Sequence, residues 1–156
     1  MREIIVEGKK TTVREGTTYL ELAREYQSGY PHDIVLVLEN GKMRELFREV
    51  KGESVVTFLT TGQVDGHKTY KRSATLLMLK AIYDVAGMEA VGGIKVHFSV
   101  SQGYYCTSKY VKPDGEFLEK VRVRMEELVK LALPIEKKTI PVDEAIENFT
   151  RHGMMD

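Results

Sequence analysis

The stretch Ile34-Val35-Leu36-Val37-Leu38-Glu39-Asn40-Gly41 decides the fold of the first part of the chain. Its run of successive apolar residues predicts a strand buried on both faces. Asn40-Gly41 tolerates positive φ at both central positions, as a tight hairpin turn requires. Met43 to Val50 then returns beside this strand, and Ser54 to Leu59 is a last β-branched strand. Upstream, Gly16-Thr17 opens a helix that Thr17 or Thr18 caps through its hydroxyl, with Glu21 three residues after Thr18. Leu20, Ala23 and Tyr26, with Tyr19 and Leu22 beside them, make its apolar stripe, and Ser28-Gly29-Tyr30-Pro31 stops it. Before the helix, Glu3 to Val6 is a short apolar run, Glu7-Gly8-Lys9-Lys10 turns the chain, and Thr11-Thr12-Val13 runs back.

The order ββαβββ within about 60 residues predicts one helix laid across a small mixed sheet, a β-grasp (ubiquitin-like) fold. Gly62-Gln63-Val64-Asp65-Gly66 has the composition of a loop, and the chain divides there. Beyond it the pattern is mainly helical. A long helix runs from Tyr70 to Val85, burying Ala74, Leu77, Met78, Ala81, Ile82 and Val85, and Ala86-Gly87 ends it. Ile94, Val96, Phe98 and Val100 alternate with Lys95, His97 and Ser99, a strand with one wet face, and Ser101-Gln102-Gly103 turns it into Tyr104-Tyr105-Cys106. Pro113-Asp114-Gly115 starts a second long helix, Glu116 to Leu131, closed by Pro134. Ile135 to Ile140 reads as a short strand, and Pro141 opens a helix over Val142 to Thr150. The fold class is α+β in two small domains, about 1–62 and 66–156.

Charge and composition narrow the function. The chain of 156 residues carries 23 Lys+Arg against 23 Asp+Glu, so long-range electrostatics give no footing for duplex DNA or a membrane surface. Its 42% hydrophobic and 29% charged residues are those of a folded protein. No apolar run approaches the roughly 18 residues of a membrane span, and the N-terminus has no secretory apolar region. Cys106 is the sole cysteine, which excludes an internal disulfide and a cysteine-rich zinc site and points to a reduced, cytoplasmic compartment. The zero is also uneven: residues 1–66 hold 9 basic and 11 acidic residues, whereas 67–156 hold 14 and 12.

Two stretches carry a resemblance. Glu15-Gly16-Thr17-Thr18-Tyr19-Leu20-Glu21-Leu22-Ala23, followed by Asp33-Ile34-Val35-Leu36-Val37-Leu38-Glu39-Asn40-Gly41-Lys42, resembles a TGS domain, the β-grasp module at the front of threonyl-tRNA synthetase. Arg72-Ser73-Ala74-Thr75-Leu76-Leu77, Gly103-Tyr104-Tyr105 and Lys138-Thr139-Ile140-Pro141-Val142-Asp143-Glu144-Ala145 resemble the start of the second, editing domain of that synthetase. With Gly66-His67-Lys68-Thr69-Tyr70 and the tail Phe149-Thr150-Arg151-His152-Gly153-Met154, the whole looks most like the N-terminal region of bacterial uridine-kinase-like proteins. The resemblance implies a non-catalytic regulatory or ligand-binding front end, with the kinase chemistry elsewhere. It also implies that the second domain stops where its synthetase counterpart still needs its other half. An RNA- or nucleotide-binding module is the alternative, and a residual aminoacyl-tRNA editing hydrolase a third reading.

The residues weigh against catalysis. The synthetase domain edits with a His-x-x-x-His pair on its first helix, and Arg72 and Leu76 stand at those positions here. Arg stays protonated and Leu has no polar atom, so neither serves as base or ligand. Gly62-Gln63-Val64-Asp65-Gly66-His67-Lys68-Thr69 approaches a phosphate loop, but His67 intrudes before Lys68 and the glycine interval is one short, which favours a flexible loop. His32, His67, His97 and His152 have no ligand spacing, Cys106 reads as a small half-buried side chain, and Asp84 as an ordinary exposed helix residue. No catalytic residue, metal ligand or cofactor is expected.

A basic patch remains. Lys68, Lys71 and Arg72 occupy neighbouring positions of the first helical turns. With His67, with Lys95 and His97 on the polar face of the 94–100 strand, and with Tyr104 as a flat surface, they form a candidate site for a nucleotide, phosphate or RNA. The plain alternative is a solvated face. Expected partners are such a ligand and a linked or associated kinase domain.

Overall fold

A computed structural model describes residues 1–101 and 103–152. Gln102 of the expected turn and Gly153-Met154 of the tail lie outside the described residues. The fold is α+β. The chain forms two compact units, Met1–Ser73 and the part from Ala74 onward, the division falling within a helix.

In the first unit, β1 (Arg2–Val6) and β2 (Lys9–Val13) pair antiparallel. Glu7 and Gly8 turn between them with φ of 48° and 78°, the doubly positive geometry that matches strand twist. Helix α1 (Tyr19–Tyr26) opens with Thr18 as cap. The Thr18 hydroxyl accepts from the Glu21 amide at 3.3 Å, and the Glu21 carboxylate accepts from the Thr18 amide at 2.7 Å. Starting at Tyr19 sets the phase of the helix. Tyr19, Leu22 and Ala23 are buried, Tyr26 packs against the same core, and Leu20 turns out of the expected stripe to the surface.

Strands β3 (Ile34–Glu39), β4 (Lys42–Glu45) and β5 (Val55–Thr60) complete a five-stranded sheet in the order β2-β1-β5-β3-β4. The β1–β5 pair is parallel and the others antiparallel. Asn40-Gly41 turns as expected, with φ of 50° and 78°. Along β3, Ile34, Leu36 and Val37 are buried, whereas Val35 and Leu38 are half-buried.

The expected return strand to Val50 ends early, at Glu45. The chain beyond it serves the first turn of α1 instead. Leu46 O accepts from the Leu20 amide at 2.7 Å, Arg48 O accepts from the Tyr19 amide at 2.9 Å, and the Val50 amide donates to Thr17 O at 2.8 Å. Helix-start amides have no intrahelical partner, so this strap satisfies donors that would otherwise be orphaned.

The last residue of β3, Glu39, is 5% exposed. Its carboxylate accepts from Tyr19 Oη at 2.6 Å, from Arg44 Nε at 2.9 Å and from Ser54 Oγ at 3.4 Å. Burial alone pushes its pKa up, but the bonds from Tyr19 and Arg44 outweigh burial and hold it below the ordinary 4.5.

Helix α2 (Val64–Gly92) begins six residues before the predicted start and absorbs most of the expected loop. A Cβ built on Gly66 would lie 2.0 Å from Thr60 O, so this glycine permits a close helix-to-strand approach. At Gly87 the backbone leaves helical geometry (φ 82°, ψ 179°), where the sequence ends the helix, and helical residues resume up to Gly92.

In the second unit, Ala81, Ile82 and Ala90 of α2 are buried with Val121 and Leu128, and Leu77, Met78 and Val85 of the predicted stripe pack against them. Strands β6 (Ile94–Val100) and β7 (Gly103–Ser108) form a two-stranded antiparallel sheet. Helix α3 (Gly115–Lys130) is capped by Asp114, whose carboxylate accepts from the Phe117 amide at 3.0 Å. Asp84 is no idle surface group. It pairs with Lys80 one turn back and with Arg124 of α3 at 2.9 Å. Helix α4 (Val142–Arg151) follows Pro141. The expected strand at Ile135–Ile140 is absent: its residues are exposed and pair with no strand among the described residues. Alternation alone makes no strand without a neighbour to bond.

Two outcomes follow. Gly66→Ala lowers the stability of the first unit by about 1–3 kcal/mol, the usual cost of overpacking, read as a reduced urea midpoint; an unchanged midpoint would mean the helix start can shift. Glu39→Gln lowers stability at neutral pH by about 1–3 kcal/mol. A carboxylate whose folded pKa is depressed binds fewer protons folded than unfolded. Its stabilisation is therefore complete above the ordinary value of 4.5 and is lost as pH falls through the folded one. Acid titration of stability should be shallower in the Gln variant.

Candidate functional site

The β6–β7 hairpin holds an exposed cluster of rings. Its register pairs Lys95 with Thr107 and Val96 with Cys106, then resumes with Ser99 opposite Tyr104. Two residues, His97 and Phe98, therefore stand opposite one, Tyr105. Such a bulge re-aims side chains and increases local twist. The His97 and Tyr105 ring centroids are 5.4 Å apart, and those of Phe98 and Tyr105 are 5.5 Å apart, with planes inclined at 36° and 31°. A bond of 2.8 Å between His97 Nε2 and Thr107 Oγ1 steadies the imidazole. Phe98 is 62% exposed and Tyr105 50%. Lys95 lies on the same face, two residues before His97. On the opposite face Ile94 packs against the core and Val96 is half-buried.

Of the sequence candidates, Lys95 and His97 thus share a face. Tyr104 does not: it follows the pleat to the other face, and Tyr105 takes the place expected of it. Beyond the bulge the predicted alternation of wet and dry faces fails, because Phe98, Ser99 and Val100 are all exposed. Nothing in the residue pattern signals the bulge, so Phe98 reads as a core position from sequence.

His67, Lys68, Lys71 and Arg72 lie on the first turns of α2, in the first unit, apart in assignment from the hairpin of the second. His67, Lys68 and Arg72 are exposed and Lys71 is half-buried. Lys68 Nζ stands 3.9 Å from Asp65 Oδ1. The segment resembling a phosphate loop is neither such a loop nor a flexible one. Residues from Val64 onward are helical, and the His67 amide is spent on Gln63 O at 2.8 Å.

Arg72 and Leu76 stand one turn apart on α2, both exposed. Among the described residues no three His, Cys, Asp or Glu side chains converge as a metal set would. Cys106 is exposed rather than half-buried. No helix among the described residues is long and apolar enough to cross a membrane.

No family model matches the chain. Curated relatives do. The chain is 29% identical over 149 residues to a threonine–tRNA ligase of Syntrophotalea carbinolica, covering 94% of this chain and 23% of that protein. It is 26% identical over 151 residues to the threonine–tRNA ligase of Methylococcus capsulatus and 24% over 150 residues to that of Marinobacter nauticus, with the same coverage. The chain therefore spans about a quarter of the length of the curated relatives it matches. This similarity over nearly the whole chain supports a threonyl-tRNA-synthetase-like character.

The exposure of Cys106 on the hairpin has a direct readout: a thiol reagent such as DTNB labels it in the folded protein. A thiol silent until urea is added would mean that β7 is covered.

Proposed function

We propose that the chain is a non-catalytic, tRNA-related RNA-binding module, with the hairpin face as its base-stacking surface. The observation that carries this reading is the exposed cluster of His97, Phe98 and Tyr105 beside Lys95. Aromatic rings left in water at such cost to solvation offer π-faces on which unpaired bases stack, and every base has such a face. Similarity to threonine–tRNA ligases supports an RNA over other aromatic ligands. Within the first unit, His67, Lys68, Lys71 and Arg72 on α2 would supply phosphate contacts of their own, whereas Tyr104, on the other face of the hairpin, is no part of the stacking surface. Because the chain has no net charge, the affinity is modest and depends on these few cations.

In the same proposal, residues 1–62 are a β-grasp TGS module and residues 66–156 a synthetase-like domain. The order β2-β1-β5-β3-β4 with a single crossing helix supports the first assignment. The kinase-linked regulatory role rests on the sequence resemblance alone, and the platform favours the RNA reading over it.

Fluorescence anisotropy with unmodified tRNA and a labelled single-stranded oligonucleotide tests the proposal. Tyr105→Ala should weaken binding by about 5- to 150-fold, the equivalent of ~1–3 kcal/mol for one stacked base. Arg72→Ala should lower the salt dependence by about 0.7 in slope. Absence of binding at low salt would remove the reading.

A further inference from the structure

Strand β2 is the outer strand of the five-stranded sheet, next to β1 alone. Its pairing with β1 leaves half of its backbone groups facing away from the protein. The Ile5 amide donates to Ser54 O at 2.9 Å and Glu3 O accepts from the Glu53 amide at 3.2 Å, both on the far side of β1 from β2. Lys10 stands opposite Ile5, and Thr12 opposite Glu3. In an antiparallel ladder such residues form the pairs that exchange no bond, so their amides and carbonyls point outward on both strands. The N–H and C=O of Lys10 and Thr12 therefore line the open edge, and no group of the chain among the described residues bonds to them.

This edge is basic. Lys9, Lys10 and Arg14 are exposed, and none of them enters an ion pair among the described residues. Of the acids nearby, Glu15 is paired with Arg2 at 2.6 Å, and Glu7 accepts from the Phe58 amide at 2.7 Å. Glu3 lies on β1, one strand in from the edge. An unpaired strand edge is a template for another chain. A second copy of β2 would set these cations against one another, so the edge disfavours its own kind. Strand β4, at the other edge of the sheet, has Arg44 paired with Glu39 and Glu45 with Arg48, and carries one further cation, Lys42.

We propose that the open edge of β2 takes up a short, extended, acidic peptide as a sixth strand. Main-chain bonds to Lys10 and Thr12 hold it, and the cations choose its side chains. Lys9 and Lys10 project to opposite faces of the sheet, so acidic residues at successive positions of the peptide meet one each. On the helix side Val13 is buried in the core, and Thr11 Oγ1 lies 3.4 Å from Tyr26 Oη. A β-branched residue at the middle of the peptide extends the margin of that core.

Amide NMR of the full chain tests the site with three capped peptides. These are Asp-Asp-Val-Val-Val-Asp-Asp, its analogue with lysine for aspartate, and Asp-Asp-Pro-Pro-Pro-Asp-Asp, which keeps the charge but lacks the central donors. The first should shift the Lys10 and Thr12 amides, the lysine peptide should not, and the proline peptide should bind at least about tenfold more weakly. Lys9→Glu with Lys10→Glu, both at the surface, should abolish binding of the first peptide. Tyr105→Ala, on the hairpin of the second unit, should leave it unchanged, which separates this edge from the RNA surface. Four results would each overturn the proposal. They are no shift at about 1 mM peptide, equal binding of the proline peptide, shifts centred outside β2, and displacement of the peptide from Lys10 and Thr12 by a single-stranded oligonucleotide.

Discussion

The amides at the start of α1 must find acceptors, and their solution shapes the first unit. The Glu21 carboxylate takes the Thr18 amide, Arg48 O that of Tyr19, Leu46 O that of Leu20, and the Thr18 hydroxyl that of Glu21. Two of the four acceptors are local and two come from a distant strap. Leaving any of these donors buried and unpaired would cost more than an average hydrogen bond contributes. The strap is therefore drawn off the sheet after β4. That draws Phe47 and Arg48 to the edge of a cleft, and the same cap fixes the helical phase that aims Tyr19 at Glu39.

The second unit rests on a different device. Its core is a helix pair, with Ala81 and Ile82 of α2 buried together with Val121 and Leu128 of α3. Asp84 and Arg124 tie the same two helices at their edge. The hairpin is fastened to this core at one end, through Ile94, and its far end stands free of it. There the bulge at His97–Phe98 costs ladder bonds but clusters three rings in water. A strand that only completed a core would have little use for such an arrangement.

Much of the first unit was legible in the residues. Apolar runs, Asn40-Gly41, and the Thr18/Glu21 pair act over a few positions, and local chemistry is sufficient to read them. Leu20 was misplaced because a stripe drawn without knowing the first helical residue is uncertain by one position. Gly66 looked like a loop glycine because its true constraint, the carbonyl of Thr60, is brought near only by folding. Ile135–Ile140 looked like a strand because alternation records a preference and not a partner.

For the site the balance is similar. The sequence by itself determined which residues carry charge and rings: Lys68, Lys71, Arg72, Lys95, His97 and the tyrosines, on a helix start and a hairpin, with no complete catalytic set. Only the tertiary structure decided that Tyr105 and Phe98, not Tyr104, join His97, and that Phe47 borders a cleft lined by paired charges. The physical reason is the same in both cases. Residue type and spacing are properties of the chain, whereas a bulge in a ladder and the course of a strap depend on acceptors and partners that lie far away in sequence.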